Sequence, residues 1–453
     1  MTPWRGEVPL RALTTFIGAS IAVLFCTGAV APTPERRTPV VRVVEKVSPA
    51  VVSVSVQVMV AANAPFNWFF RDFAPPQQQQ RRETVSQGSG VIIDAAGYIL
   101  TNYHVIEGGG EITVELGDDR RLEAETVGTA PDHDLAVLKV KADKPLPFVA
   151  MGTSSDLMIG EPVIAIGNPF GLSHTVTTGV VSALHRSLQT DERTYTDFIQ
   201  TDASINPGNS GGPLLNIEGM LIGVNTAIYS KAQGIGFAIP IDKARRIVED
   251  LLRYGEVRPP YFGFEVQEIT PELAASLALQ GGGALVAEVD KRGPAAGKVQ
   301  EGDIITAVDA IKVGDARELR ARLGDTTAGA KVSLGIWRRG ERREVEITAG
   351  ALAPDEAIKR VEQHIGIRVS EVAEAEAKRT HLPAHALLVD NVTPNSPAAQ
   401  AGIRRGDWVR AVNSEKVVGV GAFGKAIARS YWRGQAILLI QRGRVWQQIA
   451  FDL

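Results

Sequence analysis

Short apolar runs separated by turns dominate the chain between Val51 and Pro240. The first run, over residues 51–56, alternates valine with serine, which is the period-2 pattern of a half-buried strand. Later runs are bounded by Gly, Pro and Asn, and examples span residues 90–94, 134–140, 162–167 and 220–224. Short strands at this spacing favour barrels of antiparallel strands. The pattern therefore predicts a mainly β fold.

A helical pattern follows directly after these strands. Its apolar positions repeat every three to four residues with charges opposite, which is the signature of an amphipathic helix. The predicted buried face holds Ile241, Ala244, Ile247, Val248, Leu251 and Leu252. We expect this helix to close the barrel domain, which we place at residues 41–256.

The remaining sequence repeats itself once. Gly302-Asp303 and Gly406-Asp407 lie 104 residues apart, and each pair follows a Pro-Ala-Ala segment. A helix-like segment and a closing strand, near Trp337 or Trp446, complete each copy. Two long copies indicate tandem domains rather than a solenoid. We place these small α+β domains at residues 257–352 and 362–453, with a linker at 353–361.

The N-terminal segment predicts export. Arg5 and Arg11 precede an uncharged stretch over residues 12–31, which ends in Ala29-Val30-Ala31. That arrangement is typical of a secretory signal, so residues 1–31 are read as a signal peptide. An uncleaved signal anchor is the alternative, since 20 apolar-leaning residues can span a bilayer and would attach the protein to the inner membrane. Both interpretations predict that the rest of the chain is exported.

Two further segments lack the apolar pattern of a core. Residues 32–40 read as a linker, and residues 61–86 combine aromatic residues, the pair Pro75-Pro76 and a glutamine tract. Glutamine-rich tracts do not build cores, so a long loop is expected over residues 61–86.

Composition narrows the function. A chain of 453 residues suggests two to four domains. The formal net charge of −3 gives no basic excess, so nucleic acid is not expected as a main partner. Cys26 is the only cysteine and lies in the export segment, which excludes disulfides and thiolate catalysis beyond it. No H-E-x-x-H spacing is present, so we expect neither a metal nor another cofactor.

Three separate segments carry candidate chemistry. They contain His104, Asp134 and Ser210, the last within Gly208-Asn209-Ser210-Gly211-Gly212. A serine hydroxyl is a weak nucleophile unless a base takes its proton, and a carboxylate must hold that base in the correct tautomer. The glycines allow a tight turn that points the N–H groups of Gly208 and Ser210 at one oxyanion site. The segments together predict a Ser–His–Asp triad with an oxyanion hole at residues 208–210.

These residues resemble the HtrA (DegP/DegQ-like) family of serine proteases. The similarity covers almost the whole chain after the export segment, including the tandem repeats, which resemble PDZ domains. The segments that carry it are residues 88–90, 101–104, 134–138, 166–171, 200–202 and 208–212.

The resemblance implies two perpendicular six-stranded β-barrels with the site between them. It implies an endopeptidase that needs no ATP or metal, cleaves unfolded proteins after small aliphatic residues, and assembles as trimers or larger oligomers of trimers. By this analogy Ile228, Asn225 and Thr226 belong to the substrate pocket, and Arg186 to a regulatory sensor loop over residues 183–195. Ser204, six residues before Ser210, is not acidic, so a preference for basic residues is not supported.

The PDZ-like copies imply binding of peptide C-termini by strand addition. The carboxylate loop of the first copy is expected at Tyr261, Phe262, Gly263 and Phe264. The corresponding segment of the second copy, residues 364–367, is a less usual match.

Two functions stay open on the sequence alone. The first is a quality-control endopeptidase that degrades misfolded exported proteins, with a regulatory protease of an envelope stress pathway as its narrower form. The second is a holding chaperone or peptide-binding scaffold in which proteolysis is secondary. The intact candidate triad favours the first.

Overall fold

The computed structural model describes residues 36–59, 83–168, 174–189, 194–226, 234–270, 282–374, 377, 383–413 and 415–453. The predicted loop at 61–86 therefore falls mostly outside the described residues. Its last part is different from the prediction, because residues 83–86 pair with the first strand.

Two closed six-stranded barrels form the N-terminal part of the described chain, which confirms the mainly β prediction. Helix α1 (Pro39–Val47) precedes the first barrel, and helix α2 (Tyr103–Ile106) follows its third strand. The barrel order is β1-β2-β3-β6-β5-β4. Its strands are β1 (Val51–Met59), β2 (Glu83–Ile92), β3 (Tyr98–Thr101), β4 (Glu111–Glu115), β5 (Arg121–Ala130) and β6 (Leu135–Val140).

The second barrel has the order β10-β11-β12-β9-β8-β7. Long strands β8 and β9 form a hairpin whose register shifts at three places, and the predicted sensor loop lies largely in that hairpin rather than in a loop. The strands are β7 (Pro162–Gly167), β8 (Thr175–Gln189), β9 (Thr194–Thr201), β10 (Pro213–Asn216), β11 (Leu221–Thr226) and β12 (Gly236–Pro240).

Helix α3 (Ile241–Tyr254) closes the barrel region as predicted, with one correction. Leu252 was expected on the buried face but is 43% exposed. Each helical residue turns about 100°, so Leu252 lies well off the direction of its buried neighbour Leu251. The helix ends at Gly255, which has a φ of 73°. Buried Asp250 pairs with Arg258 at 2.9 Å and so fixes the exit of the chain.

The repeat corresponds to two modules with matching sheets. The first module orders its main strands β14-β15-β16-β18-β19, and the second orders them β21-β22-β23-β25-β26. A short strand, β17 or β24, pairs beside the third member of each. The elements of the first module are β13 (Pro260–Tyr261), β14 (Phe264–Glu268), β15 (Ala284–Val289), β16 (Ile304–Val308), β17 (Ile311–Lys312), α4 (Ala316–Gly324), β18 (Lys331–Arg338), β19 (Glu341–Thr348) and β20 (Gly350–Ala351).

The predicted linker between the modules forms a helix. Helix α5 (Pro354–Arg360) continues into a wider π turn over Val361–Ile365 and packs against helix α7 of the second module. One hydrophobic cluster then runs through both modules. The elements after the linker are β21 (Ile367–Glu371), β22 (Leu387–Val392), α6 (Pro397–Gln400), β23 (Trp408–Val412), β24 (Glu415–Lys416), α7 (Gly419–Ser430), β25 (Gln435–Arg442) and β26 (Val445–Asp452).

The two Gly-Asp pairs mark the same buried clamp in both modules. Asp303 pairs with Arg338 at 2.6 Å in the first, and Asp407 pairs with Arg442 at 2.6 Å in the second. Each aspartate is 1% exposed, and each also accepts a backbone N–H from three residues upstream. The repeat seen in the sequence is therefore a repeat of one electrostatic contact as well as of one fold.

Candidate active site

Asp134 lies where the first barrel meets the second. A short turn over Pro131–His133 leads into it, and Asp134 takes a left-handed conformation with a φ of 52° before strand β6 begins. Aspartate tolerates this region better than most residues. The residue is 4% exposed, and its carboxylate accepts the Thr226 hydroxyl at 3.1 Å from the second barrel.

His104 lies on the short helix α2, directly after strand β3. Its ring Nδ1 is 2.9 Å from both carboxylate oxygens of Asp134, and its backbone N–H donates to the same group at 3.0 Å. Burial lowers the pKa of His104, but the charge and hydrogen bond of Asp134 outweigh burial, so the net pKa is raised above 6.5. The pair has the geometry of a carboxylate that orients an imidazole with Nε2 directed away from it.

Ser210 lies in a tight turn before strand β10 and is 4% exposed. Gly208 has a φ of 99° and Gly211 a φ of 83°, values that side chains larger than glycine rarely adopt. The backbone N–H of Asn209 donates to Asn206 at 2.9 Å. Of the three residues predicted for the oxyanion hole, Asn209 thus uses its N–H inside the turn.

Gly88 brings the base and the nucleophile segments onto one surface. A Cβ added there would lie 2.6 Å from a methyl group of Val105, the neighbour of His104, and 3.2 Å from the carbonyl oxygen of Ser210. Helix α2 and the serine turn therefore both pack against the backbone of strand β2. A glycine is required for that close approach.

Ser89 is a site residue that sequence reasoning did not single out. It is fully buried, its hydroxyl donates to the Gly208 carbonyl at 2.5 Å, and it accepts the backbone N–H of Asn168 at 2.8 Å. Its own backbone N–H donates to the Ser210 carbonyl at 2.8 Å. Ser89 therefore fixes the turn from the first barrel; its only sequence signal was its place in a family-like Gly-Ser-Gly segment.

Two of the three residues predicted for the substrate pocket are buried inside the protein. Asn225 and Thr226 are buried in strand β11, where Asn225 donates to the Pro213 carbonyl at 3.0 Å and Thr226 bonds Asp134. Both side chains therefore form hydrogen bonds within the protein and support the candidate site. Ile228 lies outside the described residues. Arg186 lies in strand β8 and donates to the Gln200 side chain at 3.0 Å.

The predicted carboxylate loop of the first module is largely buried. Tyr261, Phe262 and Phe264 are 8%, 0% and 2% exposed. Gly263 has a φ of 79°, and a Cβ there would lie 2.7 Å from Gly293. The glycine allows two loops to touch, and the aromatic side chains on either side point into the module.

Within the described ranges, no three His, Cys, Asp or Glu side chains are grouped closely enough to hold a metal ion. No described helix is long and apolar enough to cross a membrane.

Comparison with known families matches this architecture. Residues 88–224 match the trypsin-like peptidase domain, and residues 260–349 and 388–430 each match a PDZ domain. Fold and sequence together define a trypsin-like serine endopeptidase with two PDZ domains.

Individual relatives narrow the class. The chain is 36% identical to a probable periplasmic serine endoprotease DegP-like of Brucella melitensis biotype 1, over 91% of this chain and 89% of that protein. It is 37% identical to a protein of the same description from Pseudomonas fluorescens, over 89% and 91%. A solved structure of a serine-to-alanine variant of the HtrA-type protease AlgW with a decapeptide is 41% identical, with a TM-score of 0.51, and covers 69% of this chain and 97% of that one. The chain belongs to the HtrA family of serine proteases.

Proposed function

We propose that His104, Asp134 and Ser210 are the catalytic triad of this endopeptidase. The observation that carries the proposal is the pairing of His104 Nδ1 with both oxygens of Asp134 at 2.9 Å. In this assignment Ser210 Oγ attacks the scissile carbonyl while His104 Nε2 accepts its proton. His104 then gives that proton to the leaving amine, and water repeats the sequence on the acyl-enzyme. Asp134 stays ionised and stabilises the imidazolium.

The oxyanion would be stabilised by the turn at residues 208–210. We assign the N–H groups of Gly208 and Ser210 as donors, since the N–H of Asn209 is bonded to Asn206. Removing one such donor typically costs about 2.7–4 kcal/mol of transition-state stabilisation. Ser89, which bonds both Gly208 and Ser210 across the barrel boundary, would keep the turn in place during the reaction.

For substrate, we propose misfolded or damaged exported proteins, cleaved without ATP. Both relatives above are described as periplasmic, which supports a periplasmic location. Solved AlgW structures contain a tripeptide or a decapeptide, which supports peptide recognition by the same architecture. We propose that the PDZ domains bind substrate or activating C-terminal peptides. Ile228 with the backbone of Asn225 and Thr226 would line the pocket, and Arg186 would belong to a regulatory hairpin.

The proposed organisation keeps the divisions expected from the sequence. Residues 1–31 would be the signal or membrane anchor, residues 41–256 the protease, and residues 257–352 and 362–453 the PDZ domains. We further propose a homotrimer or an oligomer of trimers as the working assembly.

The proposed activity is tested with unfolded casein. Purified wild-type protein should convert casein to peptides without ATP, and Ser210→Ala should lose at least about 10³-fold in rate, because the nucleophile is gone. Ser155→Ala, an exposed serine in the same region, is the matched control and should retain full turnover. Equal casein cleavage by wild type and Ser210→Ala would rule out this triad.

The two PDZ matches favour a second candidate function, a holding chaperone or peptide-binding scaffold. Ser210→Ala should then still suppress aggregation of a heat-denatured client as well as wild type does. Light scattering measures this directly. Failure of the variant to slow aggregation, with its melting temperature unchanged, would remove the chaperone proposal and leave the protease proposal intact.

A further inference from the structure

Strand β14 is one of the two edge strands of the first PDZ sheet, and no described strand covers its outer side. Strand β14 pairs with β15 on one side, and helix α4 lies beside it. PDZ domains take a peptide as an added strand at such an edge, with the peptide carboxylate at the loop before the strand. That loop is residues 261–264 here, so the groove runs between β14 and α4.

A corner of the second PDZ domain, formed by Tyr431 and Trp432, fills one end of this groove. The Trp432 indole stands edge-on to Phe262 and to Phe264, with ring centroids 5.3 Å and 6.2 Å away. Its ring N–H donates to the Pro260 carbonyl at 2.6 Å, and the residue is only 6% exposed. The Tyr431–Trp432 corner therefore has both an apolar socket and a polar partner in the first domain.

The helix side of the groove fits the same corner. A Cβ added at Gly324, the last residue of α4, would lie 3.0 Å from the Cβ of Trp432. Arg320, one turn earlier, packs against Gly434 just after the corner and donates to the Val266 carbonyl at 2.5 Å. An edge carbonyl of β14 that an added strand could use is thus already bonded.

Arg360, at the end of linker helix α5, holds the corner from outside the groove. Its guanidinium donates to the hydroxyl of Tyr261 at 2.6 Å and to that of Tyr431 at 3.1 Å. It also pairs with Glu265 on β14 at 3.4 Å. With a side chain only 15% exposed, Arg360 ties the linker, the carboxylate loop and the corner together.

We propose that the Tyr431–Trp432 corner is an internal occupant of the first PDZ groove, so that peptide binding requires the second PDZ domain to undock. The inference rests on the peptide-binding role given to the PDZ domains under the proposed function. The competing ligand is an extended peptide with a free C-terminal carboxylate and a large apolar last side chain, able to replace the indole. The first PDZ domain is thereby closed by its neighbour in the same chain.

The test uses fluorescence anisotropy with full-length protein carrying Ser210→Ala, which prevents hydrolysis of the probe. The probe is a labelled hexapeptide that copies residues 427–432 and ends in a free carboxylate; the same peptide with a C-terminal amide reports carboxylate dependence. Trp432→Ala should bind the probe about tenfold more tightly or better, because a closed groove lowers the apparent affinity by the fraction of molecules that are open, and a tenfold gain corresponds to about one open molecule in ten. Trp446→Ala, an exposed tryptophan of the same domain, should bind like the parent.

A second pair of variants covers the case in which Trp432→Ala unfolds. Arg360→Gln keeps the side chains of Phe262, Phe264 and Trp432 but removes the ion pair and weakens the bonds that hold the corner, so it should also tighten probe binding. Lys359→Gln, its exposed neighbour, should not. Carboxylate-dependent binding that neither Trp432→Ala nor Arg360→Gln improves would overturn the internal occupant and leave the peptide role standing. Absence of carboxylate-dependent binding in every variant would overturn the peptide role, and the inference with it.

Discussion

At the scale of single residues, the candidate site depends on contacts that cross between the barrels. Asp134 from the first barrel accepts the Thr226 hydroxyl from the second, and Ser89 reaches from the first to Gly208 and Ser210 in the second. These bonds fix the position of the base and the serine turn relative to each other. A small displacement of either barrel would therefore act on the chemistry directly.

Replacing the carboxylate tests the charge on the base. In Asp134→Asn, the interaction that raises the pKa of His104 is lost, while burial, which lowers that pKa, remains. His104 must be neutral to accept a proton, so the acid limb of kcat/KM should lie above pH 6.5 in wild type and at lower pH in the variant. We also expect kcat to fall by about 10⁴-fold, because the imidazole loses its correct tautomer. A peptide-cleavage pH profile measures both effects.

If the acid limb of kcat/KM lies at the same pH in Asp134→Asn as in wild type, a group other than His104 controls the rate. Asp132→Asn, two residues earlier in the same turn, provides the matched control. Its profile should coincide with that of wild type.

The sequence predicted His104, Asp134 and Ser210 as candidate residues because each lies in a distinctive short segment. It could not assign the supporting roles of Ser89 and Thr226, because their partners lie 119 and 92 residues away along the chain. Thr226 was read as a pocket residue, yet its side chain faces the candidate acid. Hydrogen bonds between distant segments leave no local pattern.

At the scale of elements, strand β7 limits the space available to the turn that contains Ser210. A Cβ added at Gly167, its last residue, would lie 2.8 Å from the Cα of Asn209. Gly212 is equally restricted, since its N–H bonds Asn209 while the strand carbonyl of Ile166 lies close by. The backbone of the strand thus forms the floor beneath the turn.

A single methyl group tests this contact. Gly167→Ala should push the turn away from the strand and destabilise the fold by about 1–3 kcal/mol. Displacement of Ser210 by about 1 Å is expected to lower kcat by about 10²-fold. Chemical denaturation and casein turnover measure the two effects.

Gly421→Ala is the control for that change, because a Cβ at Gly421 in helix α7 meets no atom within 4 Å. It should be neutral or slightly stabilising, as alanine is favoured in a helix interior. Full activity in Gly167→Ala would show that the turn can shift without cost.

Strands with strong apolar runs were predictable, and the linker helix was not. Helix α5 is seven residues long, begins at Pro354 and is rich in charge, so it resembles a flexible connection. Its helical form depends on packing against α7. The two helices approach closely at Gly424, where an added Cβ would lie 2.7 Å from the carbonyl oxygen of Pro354. Its packing partner is about 70 residues away, beyond the reach of any local pattern.

At the scale of the whole molecule, the protease domain and the PDZ domains have separate hydrophobic cores in the described chain. One hydrophobic cluster joins the first barrel, helix α3 and part of the second barrel, and a smaller separate cluster lies in the second barrel. Another cluster extends through the two PDZ domains. An ion pair between Lys243 and Asp325, 3.1 Å apart, links α3 to the end of α4 in the first PDZ domain. Asp325 also lies 3.7 Å from His133, the residue before Asp134.

The shared cluster predicts that the PDZ domains unfold together. Asp407→Asn removes the charged partner of Arg442, which should cost about 1.5–3 kcal/mol and lower one calorimetric transition that includes both PDZ domains. Burial raises the pKa of Asp407, but its bonds to Arg442 and to the Arg404 N–H outweigh burial and hold it below 3.8. The stabilisation is therefore present above pH 3.8 and is lost as pH falls through the lower, folded-state pKa.

Glu346→Gln is the control, since its pair with Lys331 is exposed and is worth about 0–1 kcal/mol. It should leave the transition temperature nearly unchanged at every pH. Two separate PDZ transitions in wild-type protein would contradict the shared core.

The duplicated Arg–Asp ion pair also defines which residues of the two PDZ domains are equivalent. Asp303 and Asp407 are 104 residues apart, as are Arg338 and Arg442, so the intervening segments are equal in length. With the same offset of 104 residues, Tyr431 and Trp432 correspond to Thr327 and Ala328. The two copies of the PDZ fold therefore differ in the proposed contact. The second domain supplies the side chains that occupy the groove of the first, whereas the first domain lacks the side chains to make the same contact with the second.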